Sequence, residues 1–236
     1  SEFAEGQNWE ALQIASYYKL NNLVGILDVN RIGQRGETML GWDIATYTKR
    51  IASFGWKTIT VKDGHNLEEI NSAYQSLTAN HQSPVMLIAK TIKGKGVSFL
   101  ENKDNWHGKP VPADKLAAAL KEIGPVNLKL RGKVKQPKRS DNRSPTVSNK
   151  NIISQHSAND GQQPIATREA YGNSLVELGS QYPNLVVLDA ETSNSTYAEK
   201  FKQQFPERFF EMFIAEQNMV SVAVGLSKMG FIPFIS

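Results

Sequence analysis

Residues Leu23–Asn30 read LVGILDVN, an apolar run broken by Gly25 and Asp28 and closed by an asparagine. A short apolar run bounded by polar residues is the pattern of a strand buried in a parallel sheet. Ahead of it, Glu5 to Leu20 places Trp9, Leu12, Ile14, Ala15 and Tyr18 at helical spacing. Behind it, a polar glycine-containing loop runs from Arg31 to Gly41, and the rhythm then repeats. Ile44 to Phe54 reads as a helix, Trp56 to Val61 as a strand, Leu67 to Ala79 as a helix and Val85 to Thr91 (VMLIAKT) as a second buried strand. Strands alternating with helices predict βαβ units, hence an α/β fold with a parallel sheet flanked by helices on both faces. Gly94 and Gly96 open a loop that reaches Pro112, and Asp114 to Ile123 reads as a helix capped by Asp114.

From about Gly124 to about Pro164 the apolar periodicity stops, and Lys, Arg, Ser, Asn, Gln and Pro dominate. That is linker composition. Its basic run, from Lys129 to Lys150, reads as a solvated linker or as a nucleic-acid tail; it holds no aromatic residue on which bases would stack. A second α/β rhythm follows. Thr167 to Leu178 is a helix with Thr167 as its cap, Leu185 to Leu188 a strand ending at Asp189, and Tyr197 to Gln204 a helix. Phe209 to Phe213 is a strand, Met219 to Met229 a helix and Ile232 to Ile235 a strand. The expected organisation is a first domain over 1–125, a linker over 126–164 and a second domain over 165–236. The first residue is Ser1 rather than Met and the last strand has no closing helix, so both domains are expected to be incomplete pieces of a longer protein.

Composition narrows the chemistry. The 236 residues are 40% hydrophobic and 21% charged, ordinary for a soluble globular chain and unlike a fibrous or wholly disordered one. There is no cysteine, which excludes disulfides, thiolate zinc and a cysteine nucleophile, and fits a cytoplasmic location. Any metal must take oxygen or histidine ligands, which favours Mg2+ or Ca2+. No apolar run is long enough to span a membrane.

Asn30 follows a buried strand, where ligands of parallel sheets sit. Its side-chain oxygen suits a hard cation, with the Ile32 carbonyl two residues on; the alternative is a turn-forming asparagine. His107 lies in a polar loop between Trp106 and Gly108, which reads either as an exposed loop histidine or as a packed, closely approached one. Glu216 follows an apolar strand and reads either as a partly desolvated catalytic carboxyl or as a capping glutamate of the following helix. Arg168 suits a phosphate as a planar fork, or is a surface helix residue.

The segment from Ser1 to Gln34, SEFAEGQNWEALQIASYYKLNNLVGILDVNRIGQ, resembles the thiamine-diphosphate motif of the transketolase family, without its opening Gly-Asp, whose aspartate is the family's main metal ligand. Ala89 to Pro110, AKTIKGKGVSFLENKDNWHGKP, is similar to that family's lysine-glycine turn and Trp-His-Gly-Lys-Pro box. Thr167 to Gly172 (TREAYG), Asp189 to Thr196 (DAETSNST) and Phe213 to Val220 (FIAEQNMV) match it in the same order.

The resemblance implies Ser1 beside the diphosphate, Asn30 and Ile32 as ligands of Mg2+ or another divalent ion, and Lys93, Gln34 and Lys109 near thiamine diphosphate. It implies His107 over the thiazolium, hydrogen-bonding substrate hydroxyls, and Arg168 and Ser195 on the phosphate of a sugar phosphate. Ala190 to Thr192 would lie near the cofactor. Glu5 and Glu10 would lie near a subunit interface and link two cofactor sites. Glu216 would protonate the aminopyrimidine N1′. The implied activity is transfer of a two-carbon ketol unit from a ketose phosphate to an aldose phosphate, with the carbanion held as an enamine. The intact protein would be a homodimer and this chain alone inactive. The rivals are a deoxyxylulose-phosphate synthase-like enzyme and a catalytically dead transketolase-like paralogue.

Overall fold

The computed structural model describes residues 2–77, 82–133 and 164–236. Ser1, the end of the third predicted helix and most of the predicted linker lie outside the described residues. The chain divides into two compact units, Ser1–Lys133 and Val134–Ser236.

In the first unit the elements run α1 (Gly6–Tyr17), β1 (Val24–Val29), α2 (Ile44–Ser53), β2 (Lys57–Val61), α3 (Leu67–Ser76), β3 (Val85–Lys90) and α4 (Ala113–Ile123). The sheet is parallel with order β1-β3-β2, pairing Val29 with Lys90 and Val61 with Ala89. The central strand β3 is buried over its first four residues, because neighbours cover both faces, whereas the edge strand β1 alternates and leaves Val24, Ile26 and Asp28 exposed. Leu12, Ala15, Tyr47, Ile51, Trp56, Met86 and Ile88 form the core against which α1 and α2 pack. Fully burying a side chain such as Ile88 is worth ~1.5–3 kcal/mol. The Trp56 indole N–H donates to the Leu12 carbonyl at 2.8 Å, so this large ring enters the core without an orphaned donor. Helix α2 is capped by Asp43, which accepts from the Thr46 amide at 2.9 Å.

In the second unit α5 (Thr167–Gln181), β4 (Leu185–Asp189), α6 (Ser193–Thr196), α7 (Glu199–Gln204), β5 (Phe209–Glu211), α8 (Glu216–Lys228) and β6 (Ile232–Ile235) follow. Its parallel sheet has the order β5-β4-β6 with β4 buried throughout. Leu175, Leu185, Val187, Ala198, Phe201 and Phe209 make its core.

Several boundaries differ from the sequence reading. The cap of α4 is Pro112 and Asp114 lies inside the first turn; the cap of α5 is Ala166 and Thr167 is already helical. In both helices the first-turn acids, Asp114 and Glu169, favour the start electrostatically without capping it. Tyr197 does not open a helix: it takes the left-handed conformation, φ 62°, between α6 and α7.

Candidate active site

The carboxyl ends of β1 and β3 lie side by side, since Val29 pairs with Lys90 and the Thr91 amide donates to the Val29 carbonyl at 3.2 Å. Asn30 follows the first strand and Lys93 the second, so the parallel register alone brings these distant segments to one edge. After Asn30 the chain turns back: Ile32 bridges to Glu37, and the Thr38 amide donates to the Arg31 carbonyl at 2.8 Å. Asn30 Oδ1 accepts from the Ile32 amide at 3.2 Å, so the turn-forming role read from the sequence is present. Asn30 also lines a cavity of about 510 Å³, together with Asp28, Thr38 and Tyr47. Burial pushes the Tyr47 phenol up.

Lys93 ties the site together. Its ammonium donates to the Ile32 carbonyl at 3.2 Å and to the Gly33 carbonyl at 2.8 Å, and stands 3.3 Å from His107 Nδ1. An ammonium has three donors and no acceptor, so in this contact Nδ1 is the acceptor. The loop bearing Lys93 and His107 is anchored from several sides. His65 Nε2 accepts from the Ile92 amide at 2.8 Å, and Arg31 donates to Asn102 Oδ1 at 2.8 and 3.1 Å. Asp104 accepts from the Gly36 amide at 3.1 Å and the Asn105 amide at 2.7 Å, and these amides, Gly36 first, hold its carboxyl below the ordinary value.

Trp106 packs on Phe99 with ring centroids 5.8 Å apart, as a packed loop requires. Gly108 is not closely approached, because an added Cβ would meet nothing within 4 Å; its φ of 69° is what calls for glycine. His107 and Lys109 are exposed. Gln34 does not line Asn30's cavity but an adjoining cleft of about 390 Å³, with Arg35 and Met39, that shares Phe3, Thr38 and Tyr47 with it. Glu5, which precedes α1 as its cap residue, is exposed, while Glu10 on α1 buries Oε2 with no partner among the described residues.

The fit of the implied groups follows from this donor set. A lysine ammonium beside a loop at a sheet's carboxyl edge suits the anionic end of a diphosphate. A divalent ion is served less well. Asn30 and Ile32 offer two neutral oxygens, both already accepting hydrogen bonds, and no group of three metal-ligating side chains occurs among the described residues. Further oxygen ligands are needed before these two would hold Mg2+ or Ca2+.

In the second unit, Glu216 is the first residue of α8, three residues earlier than the sequence placed the start of that helix. It is exposed, so the described residues do not provide the expected desolvation, although Ala215, Asn218 and Met219 around it are buried. Arg168 lies in the first turn of α5 and Ser195 on α6, which packs against α5. Sequence reasoning passed over Asp189 as merely the end of a strand. It is fully buried and accepts from the Thr192 amide at 2.8 Å, the Thr192 hydroxyl at 3.1 Å, the Ser193 amide at 3.0 Å and the Ser236 hydroxyl at 3.1 Å. It therefore shapes the loop that carries Glu191, at φ 58°, toward Ser195. The available signal was an acid closing an otherwise apolar strand, with Thr192 and Ser193 three and four residues on.

These features meet in the comparisons with known proteins. Residues 1–154 match the family model of the transketolase thiamine diphosphate binding domain, and residues 163–236 that of the transketolase pyrimidine binding domain. Two α/β units with parallel sheets flanked by helices, in that order, define a protein of the thiamine-diphosphate-dependent transferase class. More particularly, the chain belongs to the transketolase family. It is 43% identical over its whole length to a human transketolase and 45% identical to a mouse transketolase-like protein 2. It spans about 37% of the length of each of these curated relatives. Its fold matches a transketolase structure from Campylobacter jejuni with a TM-score of 0.76 at 22% identity, over 99% of this chain and 41% of that one. A Leishmania mexicana transketolase structure matches with a TM-score of 0.74 at 22% identity, again over 99% of this chain and 41% of that one.

Proposed function

We propose that the intact protein containing this chain is a transketolase, moving a two-carbon ketol unit from a ketose phosphate to an aldose phosphate. The observation that carries the reading is the Lys93 ammonium, which joins the loop after β1 to His107 at one sheet edge. When bound, thiamine diphosphate supplies the electron sink for cleavage of the sugar's C–C bond. Lys93 and Ser1 would hold its diphosphate, with Gln34 and Lys109 near the cofactor. Asn30 and Ile32 would give two oxygens to a divalent ion, Mg2+ or a substitute, only if other parts of the intact protein gave the rest. His107 offers its Nε2 proton to substrate hydroxyls. The Glu216 carboxyl would hold a proton at the aminopyrimidine N1′ of the bound cofactor, which is general acid–base work. Arg168 and Ser195 grip the sugar phosphate, a pairing suited to a monoester.

The first domain occupies 1–125 and the second 165–236, joined by a linker, and the protein works as a cytoplasmic homodimer. The orphaned Oε2 of Glu10 supports placing α1 where another chain supplies a partner. No nucleic acid is involved. No helix among the described residues is long and apolar enough to cross a membrane.

The test is ketol transfer by the intact protein with Glu216→Ala. Activity is expected to drop about 10²–10⁴-fold while thiamine diphosphate still binds, as measured by calorimetry. Undiminished turnover, or near-native turnover by the isolated 236-residue chain, would overturn the reading.

A further inference from the structure

We infer that Tyr197 is a positioning residue for the Arg168 guanidinium and so helps the site select phosphorylated sugars. This rests on the reading of Arg168 as a phosphate ligand and adds a residue to it.

Residues 168 and 172 stand one turn apart on one face of α5, as do 169 and 173. This double column is where the chain after α6 docks. At Gly172 the approach is so close that an added Cβ would stand 2.5 Å from both the Cβ and the carbonyl oxygen of Tyr197. One turn toward the helix start, the Arg168 guanidinium lies over the Tyr197 ring, 5.9 Å from its centroid. Lys200 reaches the same ring at 5.1 Å and is itself held by Asn173 Oδ1 at 2.7 Å and Glu169 at 4.0 Å. The ring is thus fixed by its backbone against Gly172 and by a lysine anchored to the helix. The TREAYG segment gains a physical reading: its arginine and its glycine share a face, and the glycine makes room for the residue on which the arginine rests.

Among the described residues Arg168 makes no hydrogen bond or ion pair, so its donors are available to a ligand. A flat ring under a guanidinium restricts the plane of the fork while leaving its edge N–H groups outward, the geometry a phosphate needs. Ser195 sits on the helix that ends at Tyr197, so the same docking contact sets the hydroxyl and the arginine relative to each other. Chain strain points the same way: Tyr197 keeps φ 62°, a value costly for an aromatic residue, where asparagine or glycine would be easier.

The experiment uses the intact protein as wild type, Tyr197→Phe, Tyr197→Asn and Arg168→Ala. Asparagine is, after glycine, the non-aromatic residue that best tolerates the left-handed backbone; Tyr197→Leu is the second such variant should the first not fold. The readouts are the ratio of kcat/KM for a phosphorylated ketose to that for its unphosphorylated counterpart, and the inhibition constant of inorganic phosphate. Tyr197→Asn should lower the ratio and weaken phosphate inhibition by about two- to fivefold, the size of an exposed cation–π contact. Tyr197→Phe, which keeps the ring, should stay at wild type. A general folding defect would lower both sugars together and leave the ratio alone. The inference is overturned if Tyr197→Asn and wild type share one ratio, or if Tyr197→Phe falls as far as Tyr197→Asn. If Arg168→Ala leaves the ratio unmoved, the phosphate reading of Arg168 itself fails and this inference goes with it.

Discussion

Replacing Gly172 by alanine sets two effects of opposite sign against each other. Inside a helix, alanine is favoured over glycine by ~0.8–1 kcal/mol. Against that, the new methyl would meet the Tyr197 Cβ at 2.5 Å, its carbonyl oxygen at 2.5 Å and its carbonyl carbon at 2.9 Å. Two of those atoms are backbone, and the next residue, Ala198, is fully buried, so the neighbour has no free direction in which to yield. Overpacking of this kind costs about 1–3 kcal/mol, and a backbone obstacle belongs at the upper end. The net expectation is a loss of ~2 kcal/mol. Gly225, inside α8, is the matched control: its added Cβ meets nothing within 4 Å, so Gly225→Ala should gain ~1 kcal/mol. Identical chemistry in two helices of one unit thus splits by about 3 kcal/mol.

Urea unfolding followed by far-ultraviolet circular dichroism measures this. The four tryptophans, Trp9, Trp42, Trp56 and Trp106, all lie in the first unit, so their fluorescence reports that unit alone and should not move. With slopes of about 1–3 kcal/mol per molar urea, the Gly172→Ala midpoint should drop by about 0.7–2 M. A Gly172→Ala chain as stable as wild type would refute the claim that Tyr197 is packed hard against α5.

Lys93→Met should weaken thiamine diphosphate binding by the intact protein about 10- to 100-fold, the worth of one charge-assisted hydrogen bond, and should shift the imidazole ¹⁵N resonances of His107; calorimetry and NMR would check each. Asp104 gives a pH signature with a definite sign. Its folded value is depressed below 3.8 by the Gly36 and Asn105 amides, so its tethering of the 100–110 loop is complete above pH 3.8 and is lost as the pH falls through the folded value. The protection factor of the Gly36 amide against hydrogen exchange should fall in that acid range for the wild type, and Asp104→Asn should remove this pH step.

The candidate residues of the two units, taken one at a time, show how local signals and tertiary facts divide. Glu216 was read from the sequence as a candidate catalytic carboxyl, but its environment was not legible there. An apolar strand before it suggested desolvation, whereas the helix begins at Glu216 itself and leaves the side chain exposed. Asn30 shows the reverse case: the turn role and the ligand role both remained open in the sequence, and the Asn30–Ile32 hydrogen bond establishes the first without removing the second.

What the sequence determined by itself is periodic or compositional. Apolar runs marked β1, β3 and β4, helical spacing marked α1, α2 and α5, and the order of these elements carried the parallel α/β class, because burial on both faces imposes its pattern on consecutive residues. The tertiary structure alone decided which distant groups meet: Lys93 with the Ile32 and Gly33 carbonyls and His107, Asp189 with Ser236, and Tyr197 with Arg168 and Gly172. Such contacts span many residues and depend on strand register and helix docking. No local window encodes them, because their energy appears only once the sheet edge or helix face that brings the partners together has formed.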